Sequence, residues 1–210
     1  KQTPPAGGNP KDFVLPAKQE FELPNGLTAT MVPYGEIPKV TVSMVVEVGN
    51  VHETEKQNGL ADIVGNLMQE GTATRNARQL AEEVAKLGGS LYVSVGPNQT
   101  WISGSVLSEY GPELIDIMAD LVMNPAFPES ELARVKNDFK RQMNLQRQQP
   151  GSQAQEKYRG ALYPSHPYGR DLPTDAEIDG FTLAQVRDFY QKQFGADRTN
   201  LYVAGKFDAG

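Results

Sequence analysis

The stretch Gly59-Leu60-Ala61-Asp62-Ile63-Val64-Gly65-Asn66-Leu67-Met68-Gln69-Glu70-Gly71-Thr72 decides how the chain folds. Apolar Leu60, Ile63, Val64 and Leu67 recur at three- and four-residue intervals. That spacing predicts a helix over residues 59–69 with one buried side. Gly71 follows it, where a helix-terminating glycine often stands.

Upstream, Phe21 and Leu23 lead into Pro24-Asn25-Gly26, which reads as a short strand and a tight turn. Residues 27–32 alternate as a second strand. Residues 39–48 are β-branched and strand-like. These three segments predict an antiparallel meander. A polar loop, residues 49–58, joins them to the helix.

Downstream, residues 76–87 form a second amphipathic pattern, closed by Gly88-Gly89. Residues 91–95 and 100–107 read as strands around Gly96-Pro97-Asn98. A helix is expected over 110–123, with Leu114, Ile117, Met118, Leu121 and Val122 buried and Pro125 beyond its end. A long polar helix over 129–149 stops at Pro150-Gly151. Another is expected over 152–162 with Ser152 as N-cap, then a helix over 182–194 and a strand over 199–204. The order strands, helices, strands, helices, strand predicts an α+β fold with a mostly antiparallel sheet and helices packed on one face. Residues 1–19, with Pro4-Pro5 and Gly7-Gly8, read as a flexible lead-in, and residues 20–210 as a single domain.

Composition narrows the function. The chain has 210 residues, 39% hydrophobic and 22% charged, the balance of an ordinary globular domain. A formal net charge of −6 argues against nucleic acid as a partner, because phosphate binding needs clustered cations. There is no cysteine, so thiol and disulfide chemistry are excluded. No apolar run approaches the ~18 residues of a membrane span. The sequence opens on Lys1 rather than Met, which favours a processed chain and an exported or periplasmic location.

No self-contained catalytic constellation is visible. The two histidines, His52 and His166, have no metal-ligating neighbour at helical spacing. His52 shares a loop with Glu53 and Glu55 that reads as a solvated turn, and His166 precedes Pro167 in another loop. Glu82-Glu83 and Asp116/Asp120 fall on charged helix faces. There is no nucleophile elbow, phosphate-binding loop or dinucleotide fingerprint.

The quoted helix resembles the signature helix of the pitrilysin, or insulinase, family of inverted-zincin metallopeptidases. Active members carry Gly-Leu-Ala-His-x-x-Glu-His and close on Gly-Thr. Here Gly59-Leu60-Ala61 and Gly71-Thr72 keep that frame. Other landmarks follow in family order: Gln79 to Leu91 through Gly88-Gly89, Asn124-Pro125-Ala126-Phe127, His166-Pro167-Tyr168-Gly169, and Asn200 to Asp208. In the active pattern two histidines four residues apart bind zinc and the glutamate acts as general base. By this resemblance Asp62 and Asn66 stand at the histidine positions and Gly65 at the base. Gln142 stands at the third ligand, a glutamate on a later helix. The resemblance therefore implies a degenerate member without zinc, the metal being expected only in an active partner.

The resemblance also implies partners. The family repeats a unit of about this length, so the chain reads as the N-terminal half of a longer subunit. Its partner would be the second half, a zinc-bearing family subunit, or both. The function implied is a non-catalytic domain that shapes a chamber and helps bind peptide. The alternatives are a purely structural scaffold, like the core proteins of the respiratory complex, and a metallopeptidase with an atypical site. In zinc-bearing relatives the peptide adds to the strand after the Gly-Gly turn, here Leu91, Tyr92, Val93 and Ser94.

Overall fold

Six strands, β1 (Gln19–Glu22), β2 (Thr28–Pro33), β3 (Lys39–Val46), β4 (Ser90–Val95), β5 (Thr100–Leu107) and β6 (Thr199–Gly205), form one sheet ordered β1-β2-β6-β3-β5-β4. This computed structural model describes Gly8 and residues 14–208. The lead-in expected over residues 1–19 therefore lies largely outside the described residues, and β1 opens at Gln19. Among the described residues only β2 and β6 run parallel; every other neighbouring pair is antiparallel.

The core follows from the alternation of β3. Val40, Val42, Met44 and Val46 are buried, whereas Lys39 and Thr41 face outward. β5 pairs with β3 in a register that sets Ile102 against Met44 and Val106 against Val40, which extends the same apolar face. The opposite face carries Tyr92, Trp101 and Tyr202, all substantially exposed. One covered and one open face is the usual state of an antiparallel sheet.

The helices are α1 (Leu60–Met68), α2 (Ala77–Lys86), α3 (Gly111–Met123), α4 (Glu129–Gln148), α5 (Pro150–Leu162), α6 (Asp175–Gly180) and α7 (Leu183–Gln193). α1, α2 and α3 rest on β3, β4 and β5, and α1 also packs against α4 and α7. α1 is buried nearly all round, through Leu60, Ala61, Ile63, Val64, Gly65, Leu67 and Met68. The α+β class and the mostly antiparallel sheet stand as expected.

Two local expectations need correction, and one helix adds to those expected. The opening meander does not close on itself: β6 inserts between β2 and β3, with Val203 beside Met31 on one side and Val42 on the other. α5 begins at Pro150, so Ser152 lies in its first turn and is not the cap. Proline suits that place because its missing N–H has no helical partner there and its φ is already helical. The added helix is α6, whose start is marked by the capping box of Thr174 and Glu177. Glu177 Oε2 accepts from the Thr174 N–H at 2.7 Å, and Thr174 Oγ1 accepts from the Glu177 N–H at 3.3 Å.

Candidate functional site at the start of α1

Gly59 enters α1 with φ +90, a left-handed conformation that favours glycine. A Cβ there would also stand 2.9 Å from Pro173 Cγ and 3.1 Å from Phe139 Cε1. The loop before it carries two short 3-10 turns, residues 50–52 and 55–57, that fold Glu53 back onto the helix. Glu53 Oε2 accepts the Gly59 N–H at 3.0 Å, and Oε1 accepts the Ala61 N–H at 2.7 Å. Asn50 Nδ2 donates to Glu53 Oε1 at 3.3 Å and to Asp62 Oδ2 at 2.8 Å. Arg170 donates to the carbonyls of Asn50 and Glu53.

Glu53 is thus the cap of α1, an anion at the positive end of the helix dipole. It is 4% exposed, which corrects the reading of this loop as a solvated turn. Nothing local marks the difference, because Glu53 and Glu55 look alike in the sequence. Only the path of the loop separates them.

Burial pushes the Glu53 carboxyl up to about 7 despite its two backbone hydrogen bonds, with a smaller contribution from the neighbouring Asp62. Burial likewise pushes Asp62 up to about 6. Both groups hold protons more tightly in the folded than in the unfolded chain. Their contribution to stability is therefore complete below about pH 4 and is lost as pH rises through 6 and 7. Urea denaturation at pH 5 and pH 8 should show the wild type losing roughly 1–3 kcal/mol more than Glu53→Gln across that interval. Parallel pH profiles for the two proteins would contradict this assignment.

The four positions matched to the zinc site have different surroundings. Asp62 lines a cavity of about 570 Å³ with Phe139, Met143, Arg159 and Tyr168. Asn66 and Gln142 lie instead in a shallow groove between α1 and α4, beside Glu70 and Arg134, which form an ion pair at 2.6 Å. Buried Phe139 borders both spaces. Gly65 faces β4, where a Cβ would stand 2.6 Å from Val95 Cγ2 and 3.5 Å from Val93 Cγ1. One carboxylate held by Asn50 and two neutral amides do not fit a zinc ion, which takes imidazole, thiolate or carboxylate ligands. Among the described residues no group of three or more His, Cys, Asp or Glu could hold a metal ion.

Both histidines serve local turns. His52 Nδ1 accepts the Gly49 N–H at 3.1 Å, and His166 Nδ1 accepts the Tyr168 N–H at 3.2 Å.

β4 lies at the sheet edge beyond β5. Its Val93 N–H donates not to β5 but to Oε1 of Gln69, the residue that caps the C-terminus of α1, at 3.3 Å. In an antiparallel ladder alternate residues turn their backbone groups to opposite sides. Of the four expected pairing residues, Leu91 and Val93 therefore face the open edge, and Tyr92 and Ser94 are paired with β5. The helix-side flank of this edge is an apolar hollow of about 320 Å³ that includes Leu80, Val84 and Leu91.

The six-stranded sheet with its helices on one face, and the buried helix entering on a glycine, define a peptidase-type α+β fold. The chain belongs to the insulinase family, peptidase family M16, whose model matches residues 34–175. An uncharacterized zinc protease of Rickettsia felis is 28% identical over 188 residues, covering 89% of this chain and 46% of the relative. A protease from Helicobacter pylori superposes with a TM-score of 0.87 at 18% identity, over 93% of this chain and 48% of that one. The peptidase M16 inactive domain from Pseudomonas fluorescens superposes with a TM-score of 0.82 at 24% identity, over 91% of this chain and 47% of that one. The chain spans about half the length of the relatives it matches.

Proposed function

We propose that this domain is the zinc-less half of an M16 peptidase assembly, which shapes the substrate chamber and holds peptide while a zinc-bearing unit cuts it. The observation that carries the reading is the packing at Gly65. The position matched to the general base has no side chain, and Val95 occupies the space in which one would begin. A base cannot act from there, and the amides at Asn66 and Gln142 are poor substitutes for imidazole and carboxylate. The partner is the second half of the same subunit or a separate family subunit, and zinc belongs to whichever carries an intact motif. The span of about half the relatives' length supports a missing counterpart.

Elemental analysis and a peptidase assay on the purified protein test the catalytic part. The expected result is no stoichiometric zinc and no cleavage of unfolded peptides. One zinc per chain, with hydrolysis stopped by a chelator, would overturn it.

The peptide-holding part rests on strand addition to β4, which needs only exposed backbone donors and acceptors. Val93→Pro removes an N–H that faces the edge and leaves the β4–β5 ladder whole. Fluorescence anisotropy with a labelled unfolded peptide should show at least a fivefold weaker complex for this variant. Unchanged affinity in a correctly folded Val93→Pro protein would sink the idea. A purely structural scaffold is the second reading, and Gln69 favours it, because its side chain already occupies the Val93 donor. Gln69→Ala separates the two. It should tighten peptide binding if the edge is used and leave it unmeasurable if the domain is a scaffold.

A further inference from the structure

Five arginines are partly buried: Arg75, Arg147, Arg159, Arg170 and Arg198. Four are satisfied. Arg75 pairs with Glu83 and Asp120. Arg147 binds Asp175 and the Pro173 carbonyl. Arg170 donates to the carbonyls of Asn50 and Glu53, and Arg198 to Gln193 Oε1. Arg159, on α5, makes no side-chain hydrogen bond or ion pair among the described residues, and its Nε is buried. Leaving a donor of a charged group unpaired inside a protein is costly, so such a group calls for a partner.

The surroundings of Arg159 say what that partner is. Gln146, Arg159 and Leu172 border two spaces at once, the cavity of about 570 Å³ and an adjoining cleft of about 270 Å³. The cleft adds Gln149, Ser152 and Gln155 and has no carboxylate in its lining. Asp62 and Asp171 line the larger cavity only. Glu156, on the same helix as Arg159, is engaged elsewhere, since its Oε1 accepts the Leu172 N–H at 2.8 Å. Buried Phe139 and Met143 give the larger cavity an apolar wall. A guanidinium with two free edges matches a carboxylate in a forked pair.

We infer that this double cavity binds a carboxylate carried on an apolar body, with Arg159 as the recognising group. The anionic end sits at the junction with the acid-free cleft, and the apolar body lies along Phe139 and Met143. The inference goes beyond the proposed function, because it needs neither the β4 edge nor a partner unit. The carboxylate comes either from a free apolar acid or from an acidic side chain of an extended peptide.

Isothermal titration calorimetry on the protein decides, with two matched pairs of probes. The first is N-acetylphenylalanine against its carboxamide. The second is a blocked tetrapeptide with one Glu against the same peptide with Gln. In at least one pair the acid should bind tenfold or more tightly than its neutral match. Arg159→Gln should reduce that preference to twofold or less. Gln155→Glu, which sets a carboxylate in the cleft, should do the same while keeping the arginine. A preference in the first pair alone assigns a free acid, and in the second alone an acidic side chain. Equal binding of acid and neutral probe in both pairs overturns the proposal. So does a preference that survives in a folded Arg159→Gln or Gln155→Glu protein.

Discussion

Replacing Glu53 by alanine is expected to destabilise the protein by about 3–4 kcal/mol, from the loss of charge-assisted hydrogen bonds and the donors left without partners. Three donors lose their acceptor: the N–H groups of Gly59 and Ala61 and one N–H of the Asn50 amide. Two of them belong to the start of α1, the helix around which the core is arranged. Burying the Glu53 carboxylate is itself unfavourable, as its raised pKa shows. Removing the charge therefore returns part of the loss, and the unpaired N–H groups keep the balance negative. At roughly 2–4 °C per kcal/mol for a chain of this size, the midpoint should fall by about 6–16 °C. Glu53→Gln keeps one acceptor and should lose no more than about half as much. Thermal unfolding followed by circular dichroism measures both. A Glu53→Ala midpoint within 2 °C of the wild type would show that water or another group caps α1.

The second large effect concerns Gly65. Gly65→Glu, which sets a glutamate where the resemblance places the family's base, should destabilise by about 3–5 kcal/mol, from overpacking and from a carboxylate without a partner. The new Cβ meets Val95 Cγ2 at 2.6 Å, and the rest of the side chain must push past β4. Gly65→Ala should lose less, because alanine's helix propensity offsets about 1 kcal/mol of the strain. The decisive measurement is a double-mutant cycle with Val95→Ala, which removes the obstructing methyl groups. Coupling of at least about 1 kcal/mol is expected, since residues in contact depart from additivity by that order. Additive effects would mean that Gly65 is not held by β4. The same logic extends to the fourfold reversion Asp62→His, Gly65→Glu, Asn66→His and Gln142→Glu. It should recover zinc only when Val95 is also trimmed, which metal titration can follow.

These two positions show where reading the chain stops. α1 was legible because Leu60, Ile63, Val64 and Leu67 repeat at helical spacing, and that repeat is a property of neighbouring residues. The same holds for α3 and for the β-branched run of β3. The family frame of that helix was legible too, from Gly59-Leu60-Ala61 to Gly71-Thr72. Local pattern marks α6 as well, through the spacing of Thr174 and Glu177.

Other features exist only in three dimensions. β6 slots between β2 and β3 although more than 150 residues separate it from either. Strand periodicity names the buried face of a strand and says nothing of its neighbour. Glu53 is a buried cap and Glu55 an exposed residue because one loop bends, not because the two side chains differ. Arg159 is unpaired because the fold brings no acceptor to its side chain among the described residues. The helix beginning at Gly59 was determined by the sequence itself, through spacing and side-chain type. The surroundings of that helix were set by tertiary packing, because Asn50 and Glu53 fold back onto its first turn and Val95 closes over Gly65, and contacts between such distant residues leave no mark on local pattern.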